Sequence, residues 1–379
     1  MKWKYACPEC GGHVAIAEAP PLPFERSKAE AGLLAMIGVS KFSDHMPLYR
    51  QEGIFRRHGI DIPRSTQCDW MRRIAEEMEP LIERMRRRVR SSAVIQTDDT
   101  PVTLRDGPGK GRREARFWGY RGDDANPYLV YDFSPNRRSE HPFRWLAGCE
   151  GYLQCDAYGG YDPIFAQGRL IEVGCWAHVR RKFIDSRVSD KARADRMVDM
   201  IGALYGVERT MTALAERRAA RSRPLTREKF VALRRSLRRK RSKTIVDAIM
   251  ATLHAWEIET TPKSTLGRAV RYAVKLETAL RRYLDDGRLE IDNNLTEQGM
   301  RGIALGRKNW LFCGSETGGA TAATLFTLLA SARRHEIEPW AYLRDVLDRM
   351  PHAPASRLDE FLPDNWKRTH PEAHLPLNR

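Results

Sequence analysis

Between residues 93 and 175 the apolar residues of this 379-residue chain follow a strand period, and on both sides of that block they follow a helical one. Val94-Ile95-Gln96-Thr97-Asp98 predicts a short strand that ends in acid. Residues 116–120 and 128–133 predict two more, joined by the turn-forming run Gly122-Asp123-Asp124-Ala125-Asn126-Pro127. A helix near 139–146, a strand at 152–156 that again ends in acid, a helix near 160–167 and a strand at 170–175 complete the block. The order β-β-β-α-β-α-β limits this part of the chain to an α/β fold with a mixed sheet.

The flanks read differently. Residues 28–92 predict helices. His58-Gly59-Ile60-Asp61-Ile62-Pro63 is a break, and Thr66 with Asp69 fits a capping box that opens the next helix. That helix carries Trp70, Ile74, Met78, Leu81, Met85 and Val89 on one face. A helix, a short turn with glycine and a capped helix have the shape of a helix-turn-helix, which would offer Arg64, Arg72 and Arg73 to DNA; plain helical bundles contain such pairs too. Residues 177–285 predict helix again, with Met197, Ile201 and Leu204 on one apolar face and Phe230, Leu237, Ile249 and Trp256 on another. The expected domains are a partial zinc-knuckle module with a linker (1–24), a helical DNA-binding domain (25–92), a catalytic core (93–320) interrupted by a helical insertion at about 185–285, and a C-terminal helix and tail (321–379). In the first of these, Cys7-Pro8-Glu9-Cys10-Gly11-Gly12 supplies two thiolates on a tight turn, half of a four-ligand zinc site, with His13 a weak third candidate.

Charge narrows the function. There are 65 Lys+Arg against 49 Asp+Glu, a formal net charge of +16. Arginine dominates, and the basic residues cluster at 84–90, 217–243 and 301–308. Arginine suits bidentate contact with phosphate and guanine edges, so double-stranded DNA is the expected partner. A GC-rich genome would also enrich arginine, and a solvated helix face would look similar. Uniform disorder and a disulfide scaffold are excluded by 42% hydrophobic residues and seven Cys. No apolar run reaches membrane-span length, and the start lacks a signal core, so the expected location is the cytoplasm, at the nucleoid.

Asp98 and Asp156 each close a predicted strand, and Glu297 lies near the start of a predicted helix after the turn-and-cap run Asp292-Asn293-Asn294. In the order above, the first and fourth strands lie side by side, as in a ribonuclease-H-like sheet. Their acids would be neighbours, and Glu297 would close the site. Three converging carboxylates repel one another unless divalent cations neutralise them. Oxygen ligands suit magnesium or manganese, and two such ions can activate an oxygen nucleophile and stabilise the leaving oxygen of a phosphodiester. Acids at strand ends and helix starts are also ordinary caps.

The local strings are more specific. Thr97-Asp98-Asp99-Thr100-Pro101-Val102, Gln154-Cys155-Asp156-Ala157-Tyr158, Gly174-Cys175-Trp176-Ala177-His178-Val179-Arg180-Arg181-Lys182-Phe183, and Asp292-Asn293-Asn294-Leu295-Thr296-Glu297 followed by Arg307-Lys308-Asn309-Trp310-Leu311-Phe312 closely resemble the insertion sequence 66 family of bacterial transposases. The likeness covers nearly the whole chain. It implies a DDE transposase with a ribonuclease-H-like core, Asp98, Asp156 and Glu297 as the catalytic, metal-binding acids, cleavage at inverted-repeat ends, and strand transfer into target DNA. It also implies a homo-oligomer on DNA, with element-encoded helper proteins as candidate partners.

By the same resemblance, Cys175 and His178 are positioning residues, and Asn293 and Asn294 support the Glu297 helix. Arg301, one turn after Glu297, is expected to orient that carboxylate or contact phosphate. Arg238, Arg239, Arg241, Arg307 and Lys308 are expected on DNA, and Trp310 in the core. Asp99 replaces the family's usual Glu. Cys7 and Cys10 resemble the second half of the family's zinc module, which reads as a truncated copy or a start placed downstream. The alternatives are a non-catalytic DNA-binding remnant and a nuclease without strand transfer.

Overall fold

The computed structural model describes residues 4–6, 9, 10, 12, 14–16, 22–25, 27–105 and 111–374. Cys7 and His13 lie outside these residues, whereas Cys10 is exposed. Among the described residues no helix is long and apolar enough to cross a membrane. The chain divides into two compact units, Met1–Glu83 with Thr324–Arg379, and Arg84–Ala323.

The first unit holds the antiparallel pair β1 (Lys4–Ala6) and β2 (Val14–Ile16), and helices that include Ala31–Phe42, Leu48–Arg57 and Pro339–Arg349. Leu34, Ile37, Ile74, Met78, Leu343 and Val346 are buried in it. Gly38 permits the close packing of two of its helices, since a Cβ there would lie 3.2 Å from Leu343. The helix Arg64–Arg90 does not start at the expected cap. The Pro63 carbonyl already accepts the Gln67 N–H at 3.1 Å, so Thr66 sits inside the first turn. Asp69 instead accepts from Arg72 (2.6 Å) and Arg73 (3.0 Å).

The second unit contains the α/β core. β3 (Val94–Arg105), β4 (Arg112–Arg121), β5 (Leu129–Ser134), β6 (Gly151–Gln154) and β7 (Leu170–Val173) form a mixed sheet in the order β5-β4-β3-β6-β7, and β8 (Phe312–Cys313) pairs with β3. The two strands expected to be neighbours are so, in parallel, through Val94↔Tyr152, Ile95↔Leu153 and Gln96↔Gln154.

β3 does not end at Asp98. β4 pairs antiparallel with it from Gln96↔Arg121 to Arg105↔Arg112, which carries the strand seven residues further. On the opposite edge the pairing is interrupted. β6 reaches only to Gln96, and β8 resumes at Thr103. Pro101, which has no N–H to donate, falls in this gap, where a strand tolerates it. Asp98 lies at the start of the same gap. Strand alternation sends neighbouring side chains to opposite faces. Asp98 is opposite Gly119 and Asp99 opposite Trp118. The Gly119 face is approached by Met300 of the helix Asn294–Trp310, whose sulfur would lie 2.6 Å from a Cβ at that glycine. The Trp118 face packs on Tyr158 and Tyr161, and Tyr120 stacks on Trp145 at 3.6 Å.

The helical insertion shares one core with the sheet, in which Met197, Ile201, Leu204, Ile249, Leu253 and Val270 join Val94, Val173, Trp176 and Phe183. Its basic run does not lie wholly on the surface. Arg234 and Arg238 are four residues apart, one helical turn, and both point inward. Arg234 bonds Glu208 (2.9 Å) and Glu290 (2.9 Å). Arg238, with no exposed area, bonds Glu208 (2.7 Å) and the carbonyls of Tyr283, Asp286 and Leu289. The expectation that Arg238 meets DNA is therefore overturned. Burial pushes the Glu208 carboxyl up, but the hydrogen bonds and charges of Arg238 and Arg234 outweigh it and hold the group below the ordinary glutamate range.

Removing Arg238 leaves the buried Glu208 with one of its two arginines and strips the carbonyls of Tyr283, Asp286 and Leu289 of this donor. Arg238→Met is expected to destabilise the chain by about 3–5 kcal/mol in urea denaturation. Arg239→Met, which breaks the exposed 3.1 Å pair with Asp285, is expected to change little.

Candidate active site

The site is built where the β3 edge lies open. Gln96 and Gln154 face each other across the β3–β6 pair and are buried, joined by Gln96 Nε2 donating to Gln154 Oε1 at 2.9 Å. Gln154 Nε2 also donates to the Glu290 carbonyl at 2.9 Å, and Gln96 Oε1 accepts from Thr296 Oγ1 at 3.1 Å and from Arg121. These two amides fasten the segment before Glu297 to the centre of the sheet. Asn293, fully buried, adds a bond from Nδ2 to the Thr97 carbonyl at 3.3 Å. Asp292 accepts from the backbone N–H of Asn294 (3.1 Å) and from the Tyr205 hydroxyl (2.7 Å). The Asn294–Trp310 helix is thus fixed at its first residue, and Glu297 emerges in its first turn, where its N–H bonds the Asn293 carbonyl at 3.1 Å.

Asp98 lies within reach of the charges of both Glu297 and Asp156. Burial pushes the Asp98 carboxyl up to about 7, the charges of Glu297, Asp156 and Asp99 add to the rise, and a backbone hydrogen bond at Asp99 opposes it. Asp156 lies two residues beyond the end of β6, where its Oδ1 accepts the Tyr158 N–H at 3.2 Å. Burial pushes it up too, assisted by Asp99, while His178 and Arg137 hold it back. Asp99 is a neighbour in sequence but on the other face, its side chain almost wholly covered and clamped by Arg116 (3.0 Å) and Arg137 (2.7 Å).

Glu297 is divided between two environments. Its Oε2 accepts from Arg181 at 3.0 Å. Its Oε1 is buried with no hydrogen-bond partner, 3.6 Å from the equally unpartnered Nδ1 of His178. Cys175, His178 and Glu297 each offer a ligand atom, all within 4.8 Å of one another. Burial pushes the Cys175 thiol up to about 12, so it stands there as a neutral S–H. Burial also lowers His178, against the charges of Glu297 and Asp156. The carboxylate oxygens of Asp98, Asp156 and Glu297, the last with a buried Oε1 that has no hydrogen-bond partner among the described residues, are the donor type that suits a hard divalent cation such as magnesium or manganese.

Several expected residues do other work. Arg301 is exposed and makes no bond to Glu297; Arg181, from the helix Trp176–Asp185, holds that carboxylate instead. Arg307 bonds Thr100 Oγ1 at 3.0 Å and the Pro101 carbonyl, tying its helix to the open edge of β3. Arg72 and Arg73 are engaged by Asp69, and Arg72 also by Glu76. Arg64, Arg239, Arg241 and Lys308 are exposed. Gln96, Gln154, Arg137 and Arg181 were not singled out by sequence. Arg181 follows His178 in the same string, which is the one local signal for it.

The sequence model described as "Transposase IS66 family" matches residues 26–321, and that of the "IS66 C-terminal element" matches residues 327–363. Two similar proteins of Sinorhizobium fredii bear the names uncharacterized protein y4qI and uncharacterized protein y4jD. The first is 35% identical over 372 residues, covering 93% of this chain and 66% of the relative. The second is 32% identical over 379 residues, covering 96% of this chain and 71% of the relative. The chain thus spans about two thirds of the length of these relatives.

Burial of the Asp98 carboxyl, with the neighbouring acid charges adding to it, lowers stability. A carboxyl whose folded value is raised from 3.8 to about 7 destabilises the fold as pH rises through that interval. In chelator, Asp98→Asn is expected to be more stable than the native chain at pH 8, by roughly 2 kcal/mol. In urea titrations the difference should grow between about pH 4 and pH 7 and vanish below.

Proposed function

The chain belongs to the IS66 transposase family, and on that premise we propose that it is a DDE transposase acting on the ends of a bacterial insertion sequence. The sheet order and the parallel β3–β6 pair support a ribonuclease-H-like core. The observation that supports the reading is that the charges of Asp156 and Glu297 both reach the half-buried Asp98 carboxyl, from a strand end and a helix start, with Arg181, which bonds Glu297, as a cation that also feels Asp98.

Asp98, Asp156 and Glu297 would hold magnesium or manganese, which supplies nucleophile activation and leaving-oxygen stabilisation in phosphodiester chemistry. The remaining residues prepare that site. Arg181 fixes one oxygen of Glu297 and leaves the other turned inward. Arg137 spans Asp99 and Asp156, 3.7 Å from the latter, and moderates the negative charge beside the second acid. His178 and the neutral Cys175 fill the space behind Glu297 and supply no competing charge. Exposed Arg64, Arg239, Arg241, Arg301 and Lys308 are the candidate contacts to the DNA backbone. The reaction is cleavage at the inverted-repeat ends followed by transfer of the 3′-hydroxyls to target DNA.

The test is strand transfer of a labelled terminal duplex in magnesium or manganese. The joined product is expected from the native chain. Asp98→Asn, Asp156→Asn and Glu297→Gln are each expected to lower its rate about 10³-fold or more while leaving DNA binding in place. Cleavage with no joined product would identify a nuclease instead, and binding without cleavage a DNA-binding remnant.

A further inference from the structure

A cleft of about 420 Å³ lies between the helix Trp176–Asp185 and the insertion helix Lys191–Ala220, and Arg181, the partner of Glu297, is part of its wall. Three arginines line it, Arg180, Arg181 and Arg209, together with Tyr205, Gly202 and Asn294. Among the described residues only Arg181 of the three has an acidic partner, and that partner is Glu297. Among the described residues neither Arg180 nor Arg209 makes a hydrogen bond or ion pair. Asp292, the nearby carboxylate, is already engaged by Tyr205 and Asn294. Three like charges around one cavity repel, so the cleft as built lacks an anion.

The insertion helix is shaped to leave that cleft open. Its Met197, Ile201, Leu204 and Met211 are buried. Gly202 and Gly206 are one turn apart, and so are Tyr205 and Arg209, which places this set on another face of the helix. A Cβ on Gly202 would meet nothing within 4 Å. Glycine inside a helix costs about 1 kcal/mol relative to alanine, and no packing contact at Gly202 accounts for it.

Resting on the transposase reading above, we infer that this arginine cleft seats a backbone phosphate of the DNA strand being cut, next to the scissile one. Arg180 and Arg209 bind the phosphate, and Arg181 shares its guanidinium between that phosphate and Glu297. The insertion thereby contributes a substrate-positioning subsite to the acids, and the strand is registered by its charge, independent of base sequence.

Two variants test this with the full chain and a labelled terminal duplex over a salt titration. Arg180→Gln with Arg209→Gln is expected to reduce the slope of log K against log salt by about 2, and affinity tens of fold at about 0.1 M salt. Arg217→Gln with Arg218→Gln, the same charge loss at the end of the same helix, is expected to change the slope by less than half as much. Gly202→Leu fills the cleft without removing charge. It is expected to keep or raise the melting temperature, through better helix propensity, while lowering affinity at least tenfold; it carries the test where the double variant does not fold. Equal slopes for the two double variants, or native affinity in Gly202→Leu, overturn the inference. Absence of any DNA binding by the native chain would instead overturn the transposase reading on which it rests.

Discussion

The contact between Gln96 and Gln154 is where the α/β unit is joined. A lone buried amide is costly, because each unmet donor or acceptor forfeits its hydration. Here two amides satisfy each other and use their remaining groups on the Glu290 carbonyl, Thr296 and Arg121. The result couples β3, β6 and the approach to the Asn294–Trp310 helix through directional bonds. Apolar side chains at 96 and 154 would bury comparable surface without fixing where Glu297 begins. The three acids repel one another, so their placement depends on a scaffold that resists that repulsion.

The same logic governs the gap in the β3 ladder. A continuous parallel partner would cover the edge beside Asp98. Instead β6 stops at Gln96, Pro101 removes a donor, and Arg307 and Asn293 satisfy the carbonyls left over. An open stretch of strand edge is ordinarily a liability. Here a helix covers it and carries the third acid to it.

Much of this was legible in the sequence, and the failures have physical causes. The strand order and the β3–β6 pairing follow from short apolar runs whose turns are explicit, and the charges of Asp156 and Glu297 both reach Asp98. The end of β3 was misread because Asp98 looks terminal when only one edge is considered; the antiparallel β4 edge continues to Arg105. The cap at Thr66 was misread because Pro63 supplies the first helical carbonyl three residues earlier. Arg238 was misread because a basic run looks like a surface, yet its helical spacing with Arg234 turns both toward Glu208. Arg181 and the two glutamines act across more than a hundred residues in most of their bonds, and local patterns carry no record of such partners.

The bond from Thr296 to Gln96 joins residues 200 apart in the chain. A ribosome adding about 5–20 residues per second needs roughly 10–40 s to pass from one to the other. Throughout that interval the nascent chain holds Asp98 and then Asp156 without Glu297, and the inner edge of β3 awaits the helix that will close it. The insertion helices are made in the meantime and bring most of the apolar residues of the core they share with Val94 and Val173. An unfinished chain is therefore without the complete acid set, and the site is assembled only once the long excursion through the insertion has returned to the strand where it began.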